Sequence, residues 1–126
     1  MRIFLQSRIN SFRFAFSGIQ YVLRTQQNAW VHAVISVVVI GLGLWLRIPA
    51  LSWALLALTM GMVWMAECLN TAVETIIDLV SPQPHPLAKI GKDVASAGVL
   101  LAAFSAVVVG LMVFGPPLFQ YLFSIP

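Results

Sequence analysis

Residues 66–78, AECLNTAVETIID, set Glu67, Asn70, Thr71, Glu74 and Asp78 into a stretch that is otherwise without charge. On a helix this spacing keeps all five within roughly 60° of one line along the surface. An ionisable side chain at membrane depth costs on the order of a few kcal/mol, so it belongs in a bundle interior, against a partner or in a functional cavity. The four acids of the chain, Asp93 being the fourth, all lie between 67 and 93, and none serves general solubility. Glu67 sits deepest, beside Met65, Ala66 and Cys68, where its charge is costly unless a cation compensates. After a proline-rich segment, SPQPHPLAK, come Lys89, Lys92 and Asp93. Lysines beside a helix N-terminus suit phosphate, because the dipole and the unpaired backbone N–H groups add to their charge. Carboxylates for Mg²⁺, lysines for phosphates and a further aspartate are together the parts that phosphoryl transfer from ATP requires. Each also has a plainer reading. Asn70 and Thr71 can be hydrogen-bonding glue between helices, Glu74 and Asp78 a solvated helix end, and the lysines snorkelling residues. No glycine-rich loop of the Walker kind occurs, which excludes a soluble NTPase site.

Membrane helices must position these side chains. Of 126 residues, 60% are hydrophobic and 9% charged, and the mean hydropathy of +0.95 lies outside the range of soluble domains. Three stretches are long enough to cross a bilayer: 29–46, 50–80 with the acidic stripe at its far end, and 93–114. The expected fold is therefore all-α, a single membrane domain with no room for a separate soluble one. In residues 1–25, Leu5, Ile9, Phe12, Phe16, Ile19 and Leu23 stack on one helical face, while Gln6, Asn10, Arg13 and Ser17 fall off it. That pattern predicts a helix lying in the interface, either as an anchor or as part of the site. Arg8 and Arg13 interrupt what would have to be the apolar region of a cleavable signal peptide. Pro49 separates the first two spans, and prolines 82, 84 and 86 end the second and predict an extended loop over 81–92. Gly98, Ala102, Ala106 and Gly110 form a small-residue ridge that lets another helix approach. Met60, Met62 and Met65 read as lipid or core contacts, and His32 as a polar partner for Asn28 on the same helix face. Cys68 is the only cysteine, so no intrachain disulfide is possible. With three spans, six of the seven basic residues fall on one side, which the positive-inside rule makes cytoplasmic together with the N-terminus.

AECLNTAVETIID, followed after a short loop by a histidine and KDVASAGVLL, resembles the prokaryotic diacylglycerol kinase family of small integral-membrane lipid kinases, which includes undecaprenol kinases. The resemblance runs from FRFAFSG through the third span. It implies an amphipathic surface helix plus three transmembrane helices in the bacterial cytoplasmic membrane, assembled as a homotrimeric bundle with sites shared between subunits. It further implies ATP as co-substrate, Mg²⁺, a lipid alcohol as acceptor and no nucleic acid partner. By position, Glu67 matches the general base that takes the proton of the lipid hydroxyl, Glu74 a metal-binding glutamate, and Asn70 the asparagine beside them. Lys92 with Asp93 matches the pair that holds the nucleotide. Gln83, Pro84 and His85 occupy the loop that contacts ATP, and Phe14 and Ser17 in FRFAFSG border the nucleotide or the lipid. Thr71 and Asp78 are supporting polar residues. One position departs from the pattern: Gln26 stands where many members carry a metal-binding glutamate. Either the metal binds more weakly, or another acid such as Asp78 compensates, or activity is lost. FRFAFSGIQYVLRTQQNAWVH, with Asn28 and His32, is more similar to the undecaprenol branch than to the diacylglycerol branch.

Two other classes make different demands on the same residues. A proton-coupled transport subunit would use Glu67 as a relay and have no need of Lys92 or Asp93. A non-enzymatic assembly protein would tolerate Glu67→Gln.

Overall fold

The computed structural model describes residues 2–123, without the side chains of residues 2–5 and 7, so Arg2 and Leu5 lie as side chains outside the described residues. Four helices make up the described chain: α1 (Arg2–Thr25), α2 (Gln27–Trp45), α3 (Ala50–Val80) and α4 (Pro86–Phe123). The last three are long and apolar enough to cross a membrane. A bilayer leaves backbone groups no water to bond with, which is why helices are the form such spans take. No strand occurs among the described residues. The protein is a multi-pass, all-helical membrane protein.

α1 and α2 are divided at Gln26, whose backbone is extended (φ −105°, ψ 116°) and whose N–H still reaches the Val22 carbonyl at 2.9 Å. This single non-helical residue turns the chain from the surface arm into the first span. The apolar stripe of α1 is uncovered over most of its length, Phe12 being 68% exposed, and the helix meets the bundle only near its end, where Val22 is 4% exposed. There Val22 and Tyr21 share a groove with Cys68, Thr71 and Thr75 of α3. An amphipathic helix with its stripe open in this way is built for the headgroup boundary.

α2 ends in a tight turn. Ile48 N–H bonds back to the Gly43 carbonyl at 3.2 Å while Arg47 takes a left-handed φ of 51°, the six-to-one closure typical of a helix C-terminus. The Trp53 ring packs over Gly43, where a Cβ would come within 2.7 Å of it. Ile48, Leu56 and Phe114 form a small core at this end, backed by Val39, Leu42 and Val113.

α3 runs 31 residues, about 46 Å at 1.5 Å per residue, so it outreaches the roughly 30 Å hydrocarbon core. The loop after it is shorter than the prolines predict. α4 opens at Pro86 rather than near 93, because a proline in the first helical turn lacks only an N–H that would have no intrahelical partner. α4 also continues past 114, through Pro116 and Pro117, to Phe123. Near the loop α3 and α4 are close, and a Cβ on Gly91 would lie 2.9 Å from the Ile77 Cδ1. The small-residue ridge of α4 behaves differently from the expectation: Ala102 is buried, but at Gly98 and Gly110 a Cβ would meet nothing within this chain. Met62 and Met65 face outward, and Met60 lines an apolar groove between the spans.

Candidate active site

The polar stripe of α3 divides into three stations along the helix. Glu67 is deepest. It is 1% exposed, and neither carboxylate oxygen has a hydrogen-bond partner among the described residues. It opens on a cavity of about 220 Å³, whose polar wall is Asn28 and His32 of α2, Asn70 of α3 and Ser96 of α4. A buried carboxylate left without partners costs stability, so its retention beside a polar cavity points to chemistry or to a ligand. Thr71 faces away from this cavity, toward α1, and its hydroxyl donates to the Glu67 carbonyl at 2.9 Å.

Glu74 is the second station, about 10 Å further along the axis by helical rise. Two amides hold its carboxylate: Gln26 Nε2 donates to Oε2 at 3.0 Å, and Asn70 Nδ2 donates to Oε1 at 3.2 Å. The break between α1 and α2 brings Gln26 here, across 48 positions of sequence. Asn70 is held in turn by Ser96, whose hydroxyl donates to Oδ1 at 3.5 Å. Asn70 therefore belongs to both stations.

The third station is a groove of about 700 Å³ at the α3–α4 loop, with Asp78, Gln83, Pro84, His85, Lys92 and Asp93 on its walls. The pairing of charges in it differs from the adjacent pair in the sequence. Lys92 bonds Asp78 at 2.5 Å, and Asp93 accepts from Lys89 at 2.7 Å one helical turn away. These pairs are largely exposed and weak, so an incoming polyanion can displace the carboxylates from the lysines. His85 caps α4, its Nδ1 accepting from Leu87 N–H at 3.2 Å. In the neutral ring the proton is then on Nε2. Phe14 and Ser17 are exposed on α1 and do not line this groove; the Ser17 hydroxyl donates to the Arg13 carbonyl at 2.9 Å.

The donors around Glu74 fit a hard cation. Among the described residues no three His, Cys, Asp or Glu side chains converge to form a self-sufficient metal cage. One carboxylate, with the amide of Gln26 able to turn and present its oxygen, matches instead the way Mg²⁺ is held with substrate phosphates, by few protein carboxylates together with phosphate oxygens and water. Sequence reading overlooks Ser96 and takes His32 as a partner for Asn28. The signal for Ser96 is a polar residue one turn after Lys92 at the edge of an apolar run. His32 shows in the sequence only as a polar residue in a span, and its place beside Glu67 emerges once α2 is set against α3.

Comparison with known proteins follows the same lines. The sequence model described as prokaryotic diacylglycerol kinase matches residues 13–114. A protein named diacylglycerol kinase from Synechocystis is 46% identical over 109 residues, covering 86% of this chain and 62% of that protein. The undecaprenol kinase of Bacillus subtilis is 35% identical over 108 residues, covering 86% of this chain and 88% of its own. The diacylglycerol kinase of Escherichia coli K12 is 37% identical over 64 residues, covering 51% and 52%. The chain thus spans less than two thirds of the Synechocystis protein and most of the Bacillus protein.

Proposed function

The chain belongs to the prokaryotic diacylglycerol kinase family, and from that premise we propose that it is a lipid kinase, moving the γ-phosphoryl group of ATP to the hydroxyl of a membrane lipid alcohol with the help of Mg²⁺. The observation that carries this reading is the depth order along α3. A carboxylate without partners lies deepest beside a cavity, a carboxylate held by amides lies about 10 Å away along the axis, and a lysine-bearing groove lies at the loop. That order suits two substrates arriving from different phases, a hydroxyl from the bilayer and a nucleotide from water.

In the reaction the lipid hydroxyl enters the Glu67 cavity and gives its proton to a Glu67 oxygen. Its own oxygen forms a bond to the γ-phosphorus while the bond to the β,γ-bridging oxygen breaks, and ADP leaves. Lys92 and Lys89 exchange their carboxylate partners for phosphate oxygens, and Asp93, Gln83, Pro84 and His85 border the nucleotide; His85 can donate from Nε2. Glu74, steadied by the Asn70 amide and joined by the oxygen of Gln26, would hold Mg²⁺, which when bound neutralises phosphate charge and orients the transferring group. Phe14 and Ser17 border the nucleotide or the lipid from α1, in this chain or a neighbour. Phosphoryl transfer is mostly positioning and charge neutralisation, which side chains on rigid helices supply.

The lipid alcohol we favour is undecaprenol. The Glu67 cavity shares His32 with an apolar groove of about 250 Å³ that runs between α2, α3 and α4 past Leu42, Leu56 and Val63. Beyond His32, the side-chain donors along that groove are already used. Ser36 donates to the His32 carbonyl at 2.7 Å, Trp64 to Ser36 at 3.3 Å, and Thr59 to the Leu55 carbonyl at 3.0 Å. A single hydrocarbon chain ending in one hydroxyl loses nothing there, whereas each ester carbonyl of a diacylglycerol would forgo water at a cost of roughly 1 kcal/mol or more. Diacylglycerol is the second reading, favoured by the name of the 46% identical Synechocystis relative. We also propose a homotrimer in the bacterial cytoplasmic membrane with its N-terminus cytoplasmic. The uncovered faces of α4 at Gly98 and Gly110 support the partners. Glu67→Gln and Glu74→Gln should each abolish ATP-dependent lipid phosphorylation, and near-normal turnover in both would refute the kinase.

A further inference from the structure

The cavity at Glu67 contains an asymmetry in its polar groups. Its wall carries four polar side chains besides the glutamate, and two of them are committed elsewhere. The Asn70 amide bonds Glu74, and Ser96 bonds the Asn70 carbonyl oxygen. The side chains of Asn28 and His32, both on α2, have no hydrogen-bond partner among the described residues. Asn28 is exposed at the rim, whereas His32 is half-buried and stands where the cavity meets the apolar groove. The buried carboxylate facing them has two oxygens without partners. A donor whose partner is missing and an acceptor whose partner is missing thus share one cavity of about 220 Å³.

We propose that His32 is a positioning residue: a ring N–H of His32 holds one oxygen of the Glu67 carboxylate across the cavity, leaving the other oxygen facing the lipid hydroxyl. The inference rests on the reading of Glu67 as the general base. A carboxylate at the end of two rotatable methylenes must be fixed if one oxygen is to lie within hydrogen-bond reach of the substrate proton. α3 offers Glu67 no donor for this, since Asn70 is bound to Glu74 and Thr71 faces α1. α2 offers an imidazole, and hydrogen bonds to an ionised carboxylate are about twice as strong as neutral ones. His32 does not exchange the substrate proton, which stays on Glu67 until it is released to solvent. The same ring lines both the cavity and the apolar groove, so a lipid hydroxyl arriving along the groove passes it on the way to the base.

The test compares purified wild-type protein with His32→Leu, His32→Gln and His32→Asn in mixed micelles, using undecaprenol and γ-labelled ATP, with size and thermal melting recorded for each. Gln places an amide N–H near Nε2 and Asn places one near Nδ1, so each can replace one ring donor. Loss of the donor should lower kcat roughly 10- to 100-fold, leave the KM for ATP unchanged, and be recovered at least tenfold by one of the two amides. A Leu variant within about twofold of wild type in kcat would overturn the proposal. So would a loss carried by KM, or an equal loss in all three variants with wild-type size and melting. If the Leu variant does not assemble, Gln and Asn alone decide: one must exceed the other at least tenfold in kcat, and equal activities overturn it. A wild type that labels no lipid would count against the kinase reading itself, which these variants then could not rescue.

Discussion

Gln26→Glu places a second carboxylate where an amide now donates to Glu74 Oε2 at 3.0 Å. The exchange removes a charge-assisted hydrogen bond and sets two negative charges about 3 Å apart. Their repulsion is ~1.4 kcal/mol in water and ~5 kcal/mol at an effective dielectric of 20, the range for a half-buried site. Without metal the variant should therefore melt below wild type. With Mg²⁺ the sign reverses, because a divalent cation between the two carboxylates is attracted by both. Relief of even the smaller repulsion corresponds to about a tenfold gain in affinity. Titrating Mg²⁺ in a lipid phosphorylation assay should give a half-saturating concentration at least tenfold lower for the variant. Melting in detergent with chelator, then with Mg²⁺, should show destabilisation reversed by the ion. An unchanged Mg²⁺ requirement together with unchanged melting in chelator would refute the assignment of Gln26 and Glu74 to one metal site.

Other consequences are accessible with the same preparations. Glu67→Gln should remove activity while leaving size and melting close to wild type, because the amide keeps the side chain's shape and still offers an oxygen to the cavity; an inactive variant that also fails to assemble would show that Glu67 is structural. Lys92→Gln should raise the KM for ATP about tenfold while leaving the fold intact, since its ion pair with Asp78 is exposed, and an unchanged KM would remove Lys92 from the nucleotide site. Gly43→Ala should destabilise the α2–α3 hairpin by about 1–3 kcal/mol, because the added Cβ meets the Trp53 ring at 2.7 Å. Gly98→Ala meets nothing in the chain, so the homotrimer predicts a fall in melting or in assembled size, and unchanged values of both would remove Gly98 from the contact between copies.

How far such a site can be read from sequence depends on the range of the interactions involved. The stripe of Glu67, Asn70, Thr71, Glu74 and Asp78 is legible because helical periodicity is local and an acid in an apolar run has few innocent roles. The three spans are legible for the same reason, since hydrocarbon thickness imposes their length. Pairings across the bundle are not. Lys92 meets Asp78 across the proline turn instead of joining Asp93, and Asp93 pairs with Lys89, a choice set by how α4 leaves the loop. Gln26 stands out only through the family resemblance. Its bond to Glu74 depends on a one-residue break between α1 and α2 that no proline or glycine marks. The start of α4 at Pro86 is hidden among three prolines, of which only the last opens a helix. His32 is legible as a polar residue in a span, but its place opposite Glu67 needs the packing of α2 against α3.

The most direct test is transfer of label from γ-labelled ATP by the purified protein in mixed micelles, offered undecaprenol and diacylglycerol in parallel, with and without Mg²⁺. We predict Mg²⁺-dependent label in a lipid product, more of it on undecaprenol. Absence of label from both alcohols, with protein that is folded and assembled, would contradict the kinase and direct attention to a transport or assembly role for Glu67.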